Sequence, residues 1–243
     1  MWKLYDDLLR PIPKDKIVDE IIVGIHWTMV RIGEKIGVAA TNSLESISRR
    51  KNQDKSWYAV ASLIKSWNFL EAGIGMAAIN AFYNNQEQLN HMTLLPSEDI
   101  FLLHQQAFES KKVAIIGHFK FTEKYITNNK NTFILERETR EGDYPDSACE
   151  YILPGMDYVF ITGCTLVNKT LPRLLDLSKN AKVIMAGPSV PAASALFQYG
   201  VSEIGSTIFE KEDGVKALIL QGQGKVMAKE GKTICIKKKE DEI

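Results

Sequence analysis

Hydrophobic positions along the chain change their period twice. Residues 3–10 read as a short helix with Leu4, Leu8 and Leu9 on one face, stopped by Pro11. Residues 17–25, 27–32 and 35–40 are extended, and Gly33-Glu34 suits a tight turn between the last two. These segments predict a three-stranded antiparallel meander. Helical spacing then takes over. Trp57, Val60, Leu63, Ile64 and Trp67 share one face, and residues 71–83 are apolar nearly all round. A helix of that kind, rich in Gly and Ala, is buried and closely approached by its neighbours. The order βββαα predicts a compact α+β unit ending near residue 90.

From residue 93 the pattern changes again. Residues 93–97 read as a hinge-like link, with Ser97 as N-cap of a helix carrying Ile100, Phe101, Leu103, Ala107 and Phe108. Next comes KKVAIIGHFKF, residues 111–121, around which the second half is organised. Val113 to Ile116 form a short, mostly β-branched apolar run, as in a strand buried on both faces. Gly117 ends it, and Phe119, Thr122, Tyr125 and Ile126 predict a helix directly after a tight turn. Further strands are expected at 132–135, 158–161, 182–186 and 201–209. Leu171, Leu174 and Leu175 mark one intervening helix. Ser189 and Pro191 start another that Gly200 ends, and a third lies near 214–221. Strand–helix alternation predicts a parallel sheet, so the fold class is α/β, with domains at 1–92 and 93–243. The terminal KKKEDEI reads as disordered.

Composition narrows the function. The 243 residues are 45% hydrophobic and 25% charged, with 30 basic and 30 acidic side chains. Zero net charge leaves no electrostatic footprint for nucleic acid or an anionic membrane. Arg49, Arg50 and Lys51 read as a solvated charge run within the polar stretch 41–56. The N-terminus lacks the apolar core of a signal peptide, and the longest apolar run, 72–82, is too short to span a bilayer. Three scattered cysteines, Cys149, Cys164 and Cys235, fit a reducing cytoplasm.

Candidate chemistry gathers at the strand exits. Parallel strands put their carboxyl ends on one edge, where ligands bind in such sheets. His118 leaves the first strand. Glu136 ends the second, about 20 residues after Gly117, as for an acidic residue on a ribose hydroxyl, although the turn lacks G-x-G-x-x-G. Thr162-Gly163-Cys164-Thr165 leaves the third strand and Gly187-Pro188-Ser189 the fourth. Thr165, Asn168 and Thr170 suit capping or anion contact at a helix start. Asp143 and Asp146 lie in the acidic loop 138–146, while a capping box from Ser147 explains Glu150. Asn80, inside the buried helix, calls for a backbone hydrogen bond or a ligand. Trp27 reads as packing, and His91 and His104 as surface or packing residues without acidic or cysteine neighbours at metal spacing.

GHF at 117–119, DYPD at 143–146, TGCTLVNKT at 162–170 and GPSVP at 187–191 resemble the putative heavy-metal chelation family. The resemblance implies an enolase N-terminal-like domain joined to a Rossmann-like domain, with a site in the cleft between them and Asn80 reaching it from the first. The expected ligand is a heavy-metal ion, a metal chelate or a small anionic molecule. Ligand-binding candidates are Asn80, Gly117, His118, Phe119, Glu136, Asp143, Asp146, Thr165, Asn168, Thr170, Pro188 and Ser189. His118 and Cys164 are the soft or borderline metal ligands. Two alternatives stay open: a binding protein for a metal or chelate, and an enzyme using His118 as acid or base on a nucleotide-like or chelator-type molecule. A homo-oligomer is also open.

Overall fold

The computed structural model describes residues 2–42, 54–90, 92–97, 99–119, 130–223, 227 and 230–238. The charge run 49–51, His91, most of the helix expected after Gly117 and the end of the tail lie outside the described residues.

The meander is present. Strands β1 (Glu20–Val23), β2 (Trp27–Ile32) and β3 (Lys35–Ala40) form an antiparallel sheet in that order. Gly33 turns the second hairpin with φ 58°, in the left-handed region that glycine enters without steric cost. One face carries Val30 and Ala39 into the main core, against the helix Phe69–Tyr83. The other carries Met29, Ile36 and Val38 onto Val215 and Ile219 of the helix Glu212–Leu220. The expected 57–67 helix is shorter, an α turn Trp57–Ala61 followed by a 3-10 turn Ser62–Lys65. Trp67 therefore leaves the shared face and is 63% exposed.

The second sheet has eight strands: β4 (Thr93–Leu94), β5 (Val113–Ile116), β6 (Thr132–Glu136), β7 (Tyr144–Pro145), β8 (Tyr158–Thr162), β9 (Lys182–Ala186), β10 (Val201–Ile208) and β11 (Lys232–Lys237). Their spatial order is β4-β11-β10-β9-β8-β5-β6-β7. From β7 to β10 all neighbours are parallel, but β11 pairs antiparallel with β10 and β4 with β11. The expectation of a parallel sheet is thus corrected to a mixed one. β5 sits inside the sheet, parallel to β6 and β8, and is buried at all four positions. Its side chains alternate between two cores. Ala114 and Ile116 join the larger, while Val113 and Ile115 meet Phe101, Phe108 and Phe160 in the smaller. A bridge from Ile36 to Phe209 ties the small sheet to the large one.

Four local expectations are corrected. Residues 93–94 are a strand held by β11. Asp99 caps the following helix by accepting from Phe101 and Leu102 N–H, while Ser97 bonds Asp99 backbone instead. The Ser147 capping box does not form, because Glu150 is engaged with Arg173. The helix expected from Ser189 is a 3-10 helix, Ser194–Tyr199, which Gly200 does end with φ 96°.

His104 has a larger role than packing. Its Nε2 lies 2.6 Å from Glu203 Oε2, and Lys182 Nζ lies 2.5 Å from Oε1. Burial pushes the Glu203 carboxyl up, yet these two partners outweigh it and hold the pKa below the usual value. His104→Ala is expected to cost about 2 kcal/mol at pH 7, since a buried carboxylate loses one of two partners. A group with a depressed folded pKa stabilises above its unfolded pKa and loses that contribution as pH falls through the folded one. Urea unfolding should therefore show the cost shrinking in acid.

Candidate functional site

Glycines set the strand exits against one another. Gly117 has φ 98°, and a Cβ there would lie 2.8 Å from Thr162 Cγ2. A Cβ on Gly163 would lie 2.5 Å from the Ser189 carbonyl carbon and oxygen, and one on Gly187 3.5 Å from Phe119. The exits of β5, β8 and β9 are therefore in close contact. Strand order reverses between β5 and β8, the place where a crevice opens at the carboxyl edge of such a sheet.

A cavity of about 720 Å³ opens there. Of the expected residues, Gly117, His118, Glu136, Asp146, Cys164, Thr165, Asn168 and Thr170 line it. Asn42 and Phe69 contribute from the first third of the chain. Asn80, Phe119, Asp143, Pro188 and Ser189 do not line it. Asn80 is fully buried, its Nδ2 donating to Val38 O at 2.8 Å and to Pro188 O at 3.4 Å. Ser189 Oγ accepts from Ala40 N at 2.8 Å, which pins β3 to the exit of β9. Phe119 packs on Phe101 with centroids 5.1 Å apart.

His118 is held from two sides. Arg140 Nη1 lies 3.1 Å from Nδ1, and Asp143 Oδ1 lies 3.8 Å from Nε2. The same Nη1 lies 3.5 Å from Nε2, so the guanidinium faces both ring nitrogens. Arg140 N also donates to Asp143 Oδ2 at 2.9 Å, which fixes the loop. Burial pushes the Cys164 thiol up; bonds with Thr162, Asn42 and Ser189 oppose that, while the Glu136 charge adds to it. The net shift is upward and keeps the thiol protonated. Asn168 Oδ1 accepts from Thr170 N at 3.1 Å and from Thr170 Oγ1 at 2.7 Å, and Thr165 Oγ1 donates to Thr162 O at 2.7 Å. The polar turns thus largely satisfy one another.

Residues that sequence reasoning missed are mostly cationic: Arg137, Arg140, Lys169 and Arg173 line the same cavity. Arg137 pairs with Asp146 at 3.3 Å, and Arg173 with Glu150 and Asp176. Their sequence signal was slight, because isolated basic residues in loops and on helix faces are ordinary surface features. Among the described residues, no three His, Cys, Asp or Glu side chains could hold one metal ion. No helix among them is long and apolar enough to cross a membrane.

Comparison with known proteins agrees with this architecture. A family model described as putative heavy-metal chelation matches residues 99–236, and a second of the same description matches residues 5–83. A crystal structure of a DUF364 family protein of unknown function from Desulfitobacterium hafniense is 35% identical, with TM-score 0.89, covering 98% of this chain and 99% of that one. Another of that family and of unknown function, from Pyrococcus horikoshii, shares the fold with TM-score 0.81 at 23% identity, covering 96% and 99%. An uncharacterized protein of Methanocaldococcus jannaschii is 32% identical over 167 residues, 64% of this chain and 61% of that protein. The match thus spans less than two thirds of that relative's length.

Proposed function

We propose, for a chain that belongs to the family described as putative heavy-metal chelation, that the protein binds a heavy metal as its chelate, or the small anionic chelator itself. We place the site in a cleft between an enolase N-terminal-like domain, residues 1–92, and a Rossmann-like domain, residues 93–243. The strand order β7-β6-β5-β8-β9-β10 supports the second name, being that of a doubly wound dinucleotide-type sheet. Contributions of Asn42 and Phe69 to a cavity otherwise built by residues beyond 115 support the cleft.

The carrying observation is the charge pattern. Within the cavity wall, Arg140 and Lys169 have no carboxylate within ion-pair distance among the described residues, whereas Arg137 and Arg173 do. Glu136 and Glu138 on the same wall also lack a cation within ion-pair distance among the described residues, so the lining has no net charge; Arg140 and Lys169 are the cations left for an anionic ligand in this concave polar site. A bare ion fits less well. A soft metal would have to displace the Cys164 proton and the contact of Arg140 with His118, and would still lack a full first shell.

One observation favours the enzyme reading. His118 lines the cavity with Asp143 Oδ1 3.8 Å from its Nε2, and it would act as acid or base once a ligand displaced Arg140 from the ring.

Calorimetry of wild type, His118→Ala and Cys164→Ser against zinc, nickel and a metal-free chelator tests the binding reading. The chelator should bind more tightly than either bare ion and should keep its affinity in Cys164→Ser. Tight one-to-one binding of bare metal, abolished by either substitution, would sink it.

A further inference from the structure

Lys169 follows the short helix Cys164–Val167 and carries φ 66°. Among the described residues it alone, glycines aside, has a positive φ. A lysine in the left-handed region costs about 1–2 kcal/mol relative to the right-handed one. The residue is also 7% exposed, so its charge is largely removed from water.

The direct partners of its ammonium are neutral. Nζ donates to Ser66 O and, at 2.6 Å, to Val167 O. The rings of Trp67 and Phe69 lie with centroids 5.8 Å and 5.4 Å from it. Ring faces attract a cation but do not neutralise it. Glu71 is bonded to the same serine, Ser66 Oγ donating to Oε2 at 2.6 Å, yet it makes no ion pair with Lys169. The charged groups sharing the cavity with Lys169 are Glu136, Glu138, Asp146, Glu150 and the three arginines. None of those carboxylates is within ion-pair distance of Nζ.

We propose that Lys169 binds an anionic group, a carboxylate or a phosphate, of the molecule that enters this cavity. This rests on the reading of the cavity as an anion or chelate site, and it adds the residue and the group. Two of the three Nζ donors are used by carbonyls, which leaves one for the ligand. In a desolvated wall a charge-assisted bond is stronger than at a surface. Backbone strain and an unpaired charge at one residue are costs that persist where surrounding structure over-determines them, commonly at ligand clamps.

The pH dependence has a definite sign. Burial pushes the Lys169 ammonium down to about 8. An anion binds the protonated form, so affinity is full below that value and falls as pH rises above it.

The probes are citrate, a carboxylate anion, and inorganic pyrophosphate, titrated calorimetrically into the full chain at pH 7, 8 and 9. The variants are Lys169→Gln, Lys169→Arg and Lys169→Asn. Asn suits the left-handed backbone, so it keeps the test valid if Gln fails to fold. At least one probe should bind wild type, and its identity separates carboxylate from phosphate. Affinity should fall by about tenfold or more in the Gln and Asn variants, the size expected for losing a charge-assisted bond, with partial retention in the Arg variant. The loss of affinity between pH 7 and 9 should disappear with the lysine. Equal affinity in wild type and Lys169→Asn, an unchanged pH profile, or no binding of either probe to wild type would overturn the proposal. A nickel chelate that binds wild type and Lys169→Asn equally would overturn it while leaving chelate binding intact. Failure of every chelate and every metal to bind wild type would instead remove the functional reading beneath it.

Discussion

Gly37→Ala should destabilise the protein by about 3 kcal/mol or more, at the upper end for overpacking, because the new methyl meets backbone. An ideal Cβ at Gly37 would lie 1.9 Å from Ala77 O and 2.2 Å from Ala81 N. No rotamer change relieves such a contact; the helix Phe69–Tyr83 must lift off β3. That helix is lined with Ala77, Ala78 and Ala81, all fully buried, so the displacement opens gaps along the interface. Gly73→Ala on the same helix is the control. Its Cβ would lie 3.4 Å from Ala40 O, ordinary contact, and alanine gains about 1 kcal/mol of helix propensity over glycine. Urea unfolding should show a large fall in midpoint for Gly37→Ala and little or none for Gly73→Ala. Similar midpoints for the two variants would contradict the close sheet–helix approach.

Asn84→Ala should cost about 2–3 kcal/mol, the penalty for orphaning a buried backbone donor together with the lost amide bonds. Asn84 is 2% exposed. Its Oδ1 accepts from Ala192 N at 2.8 Å and its Nδ2 donates to Val190 O at 3.0 Å. Val190 O keeps a second donor, Ser206 Oγ at 2.6 Å, so the Ala192 N–H carries most of the loss. One turn earlier on the same helix, Asn80 reaches Val38 O and Pro188 O. The two amides tie the long helix to the loop that presents Ser189 beneath Cys164. Unfolding should therefore report lost stability, and ligand titration of the folded variant a further loss of affinity. An unchanged unfolding midpoint would show that the clamp is not needed.

What was legible in the sequence follows from where the physics is local. Periodicity marks β5, β8 and β9 because these strands are buried on both faces and read as continuous apolar runs. The meander was legible because its turn residues are Gly33-Glu34. β4 and β11 were not, since β4 has two residues and β11, Lys-Thr-Ile-Cys-Ile-Lys, offers only three apolar residues directly before a charged tail. The Ser97 and Ser147 caps failed for one reason. A capping motif supplies a candidate, and a better partner nearby can take the group away: Asp99 in one case, Arg173 for Glu150 in the other. Within the site, spacing brought His118, Glu136, Cys164, Thr165 and Ser189 to one edge; the first four line one cavity, whereas Ser189 does not and is bonded to Ala40 N instead. Arg140 and Lys169 escaped because a charge deprived of a partner is a property of three-dimensional neighbours. Nothing in a loop sequence announces it.

The most direct measurement is anomalous diffraction from crystals of the wild-type chain grown with nickel citrate. Our account predicts one nickel peak in the cavity lined by His118, Glu136, Thr165 and Asn168. Citrate carboxylates should lie between the metal and the protein, one of them on Lys169. A nickel ion bonded directly to His118 and Cys164 without citrate, or a peak away from the strand exits, would contradict it.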